Sequence, residues 1–184
     1  MSRRGDVWIS AVIYIALGII AMTLVIAAGV PLINKIRDRN TFQQTKEVMS
    51  ILDNAIQEVL AEGPGSRRFL SPVFIKEGTL YVRGLPVTGG NNFIVWTMET
   101  KALLLEPNKV IKEGNLKLGL SEHPILADTY IANITLDYFN DREIELDVAD
   151  EDKRPIEGKN SIVVTNLGVD KEVHDQIKIR IDIR

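Results

Sequence analysis

The stretch SRRGDVWISAVIYIALGIIAMTLVIAAGVP, residues Ser2–Pro31, decides how this chain is organised. Two arginines, a glycine and an aspartate precede about 28 uncharged residues, which run over 7–34. An uncharged apolar run of about 18 residues or more is typical of a transmembrane helix, whereas the apolar part of a secretory signal usually has about 7–15. Twelve of residues 7–30 are Ile, Leu or Val, which favour insertion by roughly 4 to 7 kcal/mol. We therefore predict that this segment enters a membrane.

Three fates of the segment are compatible with its composition. An ordinary secretory signal would be cut near Ala27-Ala28-Gly29, although the apolar run is long for such a signal. A twin-arginine export signal would use Ser2-Arg3-Arg4, but Gly5 and Asp6 stand where an apolar residue is expected. In the third case the helix stays in the mature protein. Basic residues flank the run on both sides, so the positive-inside rule does not give its orientation.

The apolar run continues into an amphipathic pattern without a stop signal. Over 35–62, apolar side chains recur at spacings of three and four, with charged and amide residues between them. The residues of this stripe that we expect to pack on the C-terminal domain are Phe42, Met49, Leu52, Ile56 and Val59. Gly63 suits the position after a helix end, and Pro64 blocks continuation. We predict one helix over 6–62, membrane-spanning over 7–33 and amphipathic over 35–62.

Small residues recur near one face of the apolar half. They are Ala11, Gly18, Ala21 and Ala28, at spacings of seven, three and seven. Small side chains let two helix backbones approach closely in an apolar medium, so this face is a candidate for helix–helix packing. The alternative is that alanine and glycine are simply common in membrane helices.

The pattern changes from helical to alternating in the C-terminal part. After a linker over 63–72, a β-rich domain is expected over 73–184, with about eight short strands separated by turn signals such as Glu113-Gly114-Asn115 and Glu157-Gly158-Lys159-Asn160. Alternating strands with no helical pattern between them favour an antiparallel sandwich or barrel. The predicted fold class is therefore α+β, with a long N-terminal helix followed by an antiparallel all-β head.

Composition argues against several classes of function. Residues 35–184 carry 20 Lys and Arg against 24 Asp and Glu, and this acidic balance does not suit nucleic acid. The chain has no cysteine, and its two histidines, His123 and His174, lie far apart in sequence. An acidic group over 147–152 lacks the glycine of a calcium loop, and no phosphate loop or serine-hydrolase motif occurs. We therefore expect no enzyme activity, metal or cofactor.

One short motif points to modification. Asn133-Ile134-Thr135 is an N-glycosylation acceptor, a three-residue pattern that also arises by chance. It lies in a predicted strand, which is an awkward place for glycan transfer. We keep Asn133 as a candidate glycosylation site.

The N-terminal pattern resembles archaeal type IV pilins and archaellins. A short basic leader that ends in Arg3-Arg4-Gly5 is followed by an apolar helix, an amphipathic helix and a β-rich head. The resemblance covers roughly residues 2–62. It implies that residues 1–5 are a leader (the class III signal peptide), which a prepilin-type peptidase removes between Gly5 and Asp6. The chain departs from bacterial-type pilins at Ser10, because those carry a glutamate at the fifth mature position.

The resemblance also implies an orientation and a function. The basic leader would lie inside the cell, and the head would lie outside on the membrane and then on the cell surface. The chain would be a subunit of a surface filament, a homo-oligomer that polymerises through its N-terminal helix. The alternative is a single-pass membrane-anchored binding module that never polymerises. Adhesion, motility and DNA uptake are all open as the role of such a filament.

Overall fold

A computed structural model describes residues 3–83, 92–138, 144–148, 155–169 and 176–184, and of the side chains of residues 3–9 it describes Trp8 alone. The chain divides into two compact units, Met1–Asp38 and Arg39–Arg184. The fold class is α+β, as predicted. One long helix precedes a sheet that is mostly antiparallel.

Helix α1 spans Arg3–Glu62 and belongs in part to each unit. It continues through Pro31, although a proline inside a helix removes one backbone hydrogen bond. The continuous helix predicted for 6–62 is therefore confirmed, and helical backbone also includes Arg3, Arg4 and Gly5. Among the residues that the structure describes, α1 is the one helix long and apolar enough to cross a membrane.

Helix α1 ends at Glu62, as Gly63 and Pro64 predicted. Gly63 has a φ of 90°, a conformation that glycine adopts without the strain of a side chain, and its amide donates to the carbonyl of Val59 at 3.2 Å. The hydroxyl of Ser66 donates to the same carbonyl at 2.8 Å. These bonds satisfy a carbonyl that the end of the helix leaves without an intrahelical partner.

Eight strands in the described part of the chain form a single hydrogen-bonded sheet. Its order is β3-β4-β5-β2-β1-β7-β8-β6. The strands are β1 (Arg67–Arg83), β2 (Phe93–Thr100), β3 (Val110–Glu113), β4 (Leu116–Glu122), β5 (Tyr130–Asp137), β6 (Ile144–Val148), β7 (Ile156–Val169) and β8 (Ile177–Ile183). Every neighbouring pair is antiparallel except β6 and β8, which are parallel.

The sheet differs from the prediction in its closure. A barrel is wrong, because the two edge strands, β3 and β6, do not pair with each other within the described residues. The strands also belong to one sheet rather than to the two separate sheets of a sandwich. The physical reason lies in α1, whose amphipathic half contributes to the same core as the strands. A sheet whose apolar face is covered by a helix does not need to close on itself.

Two local boundaries also differ from the prediction. Strand β1 begins at Arg67, inside the segment 63–72 that the sequence suggested as a linker. The predicted turn at Glu157-Gly158-Lys159-Asn160 lies within β7, where Gly158 has a φ of 73° and pairs with Ile75. Near it the β1–β7 register shifts, so this glycine marks an irregularity inside a ladder instead of a chain reversal.

Trp96 on β2 packs against Gly78 of β1. Trp96 is fully buried, and its indole N–H donates to the carbonyl of Glu77 at 3.0 Å. Gly78, with a φ of 75°, lies so close to the Trp96 ring and to the carbonyl of Thr97 that a Cβ would overlap both. The ring of Trp96 also meets that of Phe42 on α1, with centroids 6.1 Å apart and planes at 58°. Such a tilted pair is favourable beyond the area that it buries.

Candidate functional site: helix α1 and its attachment to the sheet

The apolar half of α1 is exposed along its length in the described chain. Trp8, Tyr14 and Val25 have exposed fractions of 70% or more. The small residues predicted to pack against other helices are exposed as well, and they are Ala11, Gly18, Ala21 and Ala28. A Cβ on Gly18 would meet nothing within 4 Å. An apolar surface of this extent is typical of a segment that lipid or other helices cover.

The predicted processing residues lie at the beginning of α1. The backbone of Arg3, Arg4, Gly5 and Asp6 is helical. Their side chains lie outside the described part of the structure. Cleavage between Gly5 and Asp6 stays a prediction.

The second half of α1 has a buried stripe. The five residues predicted to pack on the head are Phe42, Met49, Leu52, Ile56 and Val59, and each is at most 2% exposed. They share one hydrophobic cluster with residues of every strand except β3. Removing a buried side chain of this size typically costs about 2–5 kcal/mol, so this stripe holds α1 firmly on the sheet.

A carboxylate on α1 ties the helix to two loops beside the sheet. The hydroxyl of Tyr138 donates to Asp53 Oδ1 at 2.7 Å, and the amide of Asn115 donates to Asp53 Oδ2 at 2.9 Å. Asn115 lies in the β3–β4 turn, and Tyr138 follows β5. Hydrogen bonds to a charged acceptor are stronger than neutral ones, so Asp53 fixes the rotation of α1 about its axis.

The end of α1 is held by a buried amide. Asn166 on β7 is 1% exposed, and its Nδ2 donates to the Val59 carbonyl at 2.8 Å. Its Oδ1 accepts from the amide of Gly168 at 2.8 Å, at the point where the β7–β8 register shifts. One side chain therefore stabilises both the helix end and an irregularity in the sheet.

Two ion pairs lie at the surface beside the same end of α1. Arg68 Nε donates to Glu58 Oε2 at 2.6 Å, and its Nη2 donates to Glu62 Oε1. The hydrogen bonds that Arg68 donates to the carboxylates of Glu62 and Glu58 raise the pKa of its guanidinium above its usual range. An arginine remains charged at any ordinary pH, so Arg68 is not a proton-transfer group. Its ion pairs help to orient the end of α1 against β1.

Asn133 lies in the middle of β5, opposite Thr97 on β2 and Gly119 on β4. Its side chain is half-buried, and it fills the space above Gly119, where a Cβ would overlap the Asn133 amide oxygen. The strand position predicted from the sequence is therefore correct. Glycosylation of Asn133 itself stays a prediction.

Other candidate groups do not form a reactive cluster in the described residues. The Nδ1 of His123 accepts from the amides of Ile125 and Leu126, and Asp147 is paired with Arg180. His174 and the rest of the acidic group, 150–152, lie outside the described residues. Among the residues that the structure does describe, no group of three or more His, Asp or Glu side chains has the arrangement of a metal site.

Sequence reasoning missed the polar residues that position α1. Asp53 was read only as one of the polar residues between the stripe positions, and Asn166 was not singled out. Asn92 was missed as well: it is 2% exposed, its Nδ2 donates to the Tyr138 and Ile144 carbonyls and its Oδ1 accepts from the Leu146 N–H, so it joins the end of β5 to β6. The available signal was weak, because an asparagine beside a strand is far more often part of a turn.

Comparisons with known proteins give no relative. No protein-family model, curated protein or solved structure matches this chain.

Proposed function

We propose that this protein is the structural subunit of a surface filament of the archaeal type IV pilus class. A prepilin-type peptidase removes residues 1–5, and the apolar half of α1 then leaves the membrane to pack against copies of itself. The head remains on the outside of the filament. The proposal assigns no catalytic activity, cofactor or nucleic acid to the protein.

One observation carries the proposal. A single helix joins an exposed apolar half to a half that is held on a folded domain by a buried stripe, by Asp53 and by Asn166. Lipid satisfies such an apolar helix before assembly, and neighbouring helices satisfy it equally afterwards. A helix held firmly on its domain transmits the spacing of the packed helices to the heads. A simple anchor requires no such attachment.

The leader supports the same function. Arg3 and Arg4 are two charges that hold the N-terminus at the membrane surface while they remain attached. Their removal leaves a chain that begins with Asp6. Its carboxylate and the new α-amine are then close enough to compensate each other inside a filament, where one unpaired charge would cost several kcal/mol.

Substitution of the small-residue face tests the proposal. Gly18→Leu makes the segment more apolar, so insertion in the membrane is retained, but it blocks the close approach of two helices. We expect cells with this variant to keep the protein in their membranes and to lose filaments in electron micrographs. Ile20→Leu is the matched control, and filaments should persist.

Two outcomes would contradict the proposal. Filaments that contain Gly18→Leu in normal amount would show that this face does not pack. Surface fractions that contain the wild-type chain but no filament would favour the membrane-anchored binding module instead.

A further inference from the structure

The loop that connects β4 to β5, residues 123–129, is held in shape by one histidine. His123 Nδ1 accepts hydrogen bonds from the backbone amides of Leu126 at 3.0 Å and of Ile125 at 3.2 Å. The backbone amide of His123 donates to the carbonyl of Thr129 at 2.9 Å, which closes the base of the loop. The imidazole therefore joins the base of the loop to its tip.

The two amide donors fix the protonation state of the His123 ring. A ring nitrogen that accepts from an N–H carries no proton, so the ring is neutral and holds its proton on Nε2. Nε2 lies 3.6 Å from Glu99 Oε1 on β2. A second proton must go to Nδ1, where it would point at the N–H groups of Ile125 and Leu126. The charged ring is therefore incompatible with the closed loop.

The charged groups around His123 favour a proton on its ring. Glu99 approaches the ring from β2, and the lining of the shallow cavity beside the loop includes Glu122, Asp128 and Tyr130. The three carboxylates attract an imidazolium, although they are exposed and water and salt weaken this attraction. A tyrosine carries no charge at neutral or acidic pH. Because Glu99 faces Nε2, it offers no acceptor to a proton on Nδ1.

The closed loop holds one residue in an uncommon backbone conformation. Asp128 has a φ of 54°, in the left-handed region that residues other than glycine adopt at a cost. It precedes Thr129, which is 8% exposed and whose hydroxyl donates to the Ala127 carbonyl at 3.3 Å. A loop that has lost its bonds to His123 is free to leave this conformation. Loss of the two bonds therefore favours a different shape of the loop.

We propose that His123 is a pH-sensitive switch for the loop 123–129. Histidine is the side chain that ordinarily changes its charge between about pH 5 and 8. The open loop binds one more proton than the closed loop, so the closed loop is stable at the higher pH and is lost as the pH falls. The switch belongs to the head and operates whether or not the chain forms a filament.

The switch controls how two exposed aliphatic side chains are presented. Ile125 is 85% exposed and Leu126 is 50% exposed, and the closed loop fixes the backbone that carries them. A preformed surface loses little conformational entropy when it binds, whereas a mobile one loses more. A contact that uses these side chains in the closed arrangement is therefore weaker in acid than at neutral pH.

Amide hydrogen exchange of the full chain in detergent tests the switch. NMR gives the protection of each amide relative to its intrinsic exchange rate at the same pH. Between pH 7.5 and pH 5, protection at Ile125 and Leu126 should fall about tenfold, the effect of losing one ordinary hydrogen bond at each amide. Ala132, which pairs with Leu120 in the β4–β5 ladder, should keep its protection. The loss should follow the titration of the His123 ring in the same spectra.

Two variants at His123 separate the hydrogen bonds from the charge. In His123→Asn, the amide oxygen accepts from the same backbone amides but does not titrate, so protection should be retained at both pH values. His123→Ala lacks the acceptor, and at pH 7.5 its loop should be as weakly protected as the wild-type loop at pH 5. His174→Asn, at the chain's other histidine, is the matched control and should respond to pH as the wild type does.

Each of four results would overturn the inference. Unchanged protection of the wild-type loop at pH 5 would show that the loop stays closed in acid. A wild-type loss of protection in His123→Asn would assign the response to another group. Full protection in His123→Ala at pH 7.5 would show that the two bonds do not hold the loop. An equal loss at Ala132 would mean that the whole sheet responds to pH.

Discussion

The two halves of helix α1 have opposite surroundings, although one uninterrupted backbone joins them. In the first half, side chains such as Trp8 and Ile20 are exposed, and so are the small residues of the predicted packing face. In the second half, five apolar residues are at most 2% exposed, and polar bonds at Asp53 and at the helix end complement them. The sequence of the first half is adapted to an environment outside the chain, and that of the second half is adapted to the chain's own sheet.

The two halves of α1 are therefore stabilised in different ways. An amphipathic helix gains its stability by burying one stripe against its own domain. An apolar helix with small residues on one face is stabilised by lipid or by other helices. Substitutions in the second half should therefore change the stability of the head, whereas substitutions in the first half should leave that stability unchanged.

The chain's two tryptophans give the sharpest form of this comparison. Trp96→Ala removes a fully buried ring, its contact with Phe42 and its bond to the Glu77 carbonyl. We expect the head to lose about 3–5 kcal/mol of unfolding free energy, measured by denaturant titration of the full chain in detergent. Trp8→Ala, at a 76% exposed position, is the control and should leave that free energy unchanged. Equal losses in both variants would contradict the comparison.

The methionines of α1 provide a second pair. Met49 is fully buried, and Met22 is 67% exposed. Met49→Ala should lower the free energy of unfolding of the head by about 2–5 kcal/mol, because it leaves a cavity between α1 and the sheet. The same change at Met22 should have no effect on this quantity. A substantial loss at Met22 would indicate that the first half packs on the head.

How far the sequence predicts the fold depends on the kind of residue involved. Periodicity identified the continuous helix, its end at Gly63 and the buried stripe, because burial of apolar groups leaves a regular signal. Strand β3 was missed because its four residues are all exposed, and the parallel pairing of β6 with β8 leaves no pattern in the sequence. The start of β1 was missed because Arg67-Arg68 and Pro72 are typical of a linker.

The attachment of α1 was harder to predict than the stripe. Asp53 and Asn166 are polar residues whose contribution comes chiefly from a partner distant in sequence, the Tyr138 hydroxyl for Asp53 and the Val59 carbonyl for Asn166. Their neighbours in sequence do not reveal that partner, because a hydrogen bond across 85 or 107 positions depends on the finished fold. The apolar half of α1 was easier to predict, because the length of its uncharged run alone indicates a membrane environment.

Asn166→Ala tests the polar part of the attachment. The change leaves the amide of Gly168 without its acceptor in a buried position and removes one donor from the Val59 carbonyl. We expect a loss of about 1–3 kcal/mol in the same titration, smaller than for the core residues. Asn160→Ala, at a less buried amide on the same strand, should cost less. A larger loss of unfolding free energy for Asn160→Ala would contradict the role assigned to Asn166 in holding the end of α1.

The smallest effect is expected at the surface ion pair. Arg68→Gln removes the bonds to Glu58 and Glu62, but solvent and salt already weaken an exposed pair of this kind. The melting temperature of the head should fall slightly at low ionic strength, and the difference from wild type should shrink as salt is added. A difference that does not respond to salt would mean that Arg68 acts through packing.

The position of the mature N-terminus is the decisive observation for the proposed removal of the leader and retention of the helix. Intact-mass measurement of the native protein, from membranes and from cell-surface fractions, gives the first residue of the chain without any substitution. We expect a polypeptide that begins at Asp6 and retains the whole apolar half of α1. A chain that begins at Met1 or near Val30 would contradict it, because the first keeps the leader and the second discards the helix.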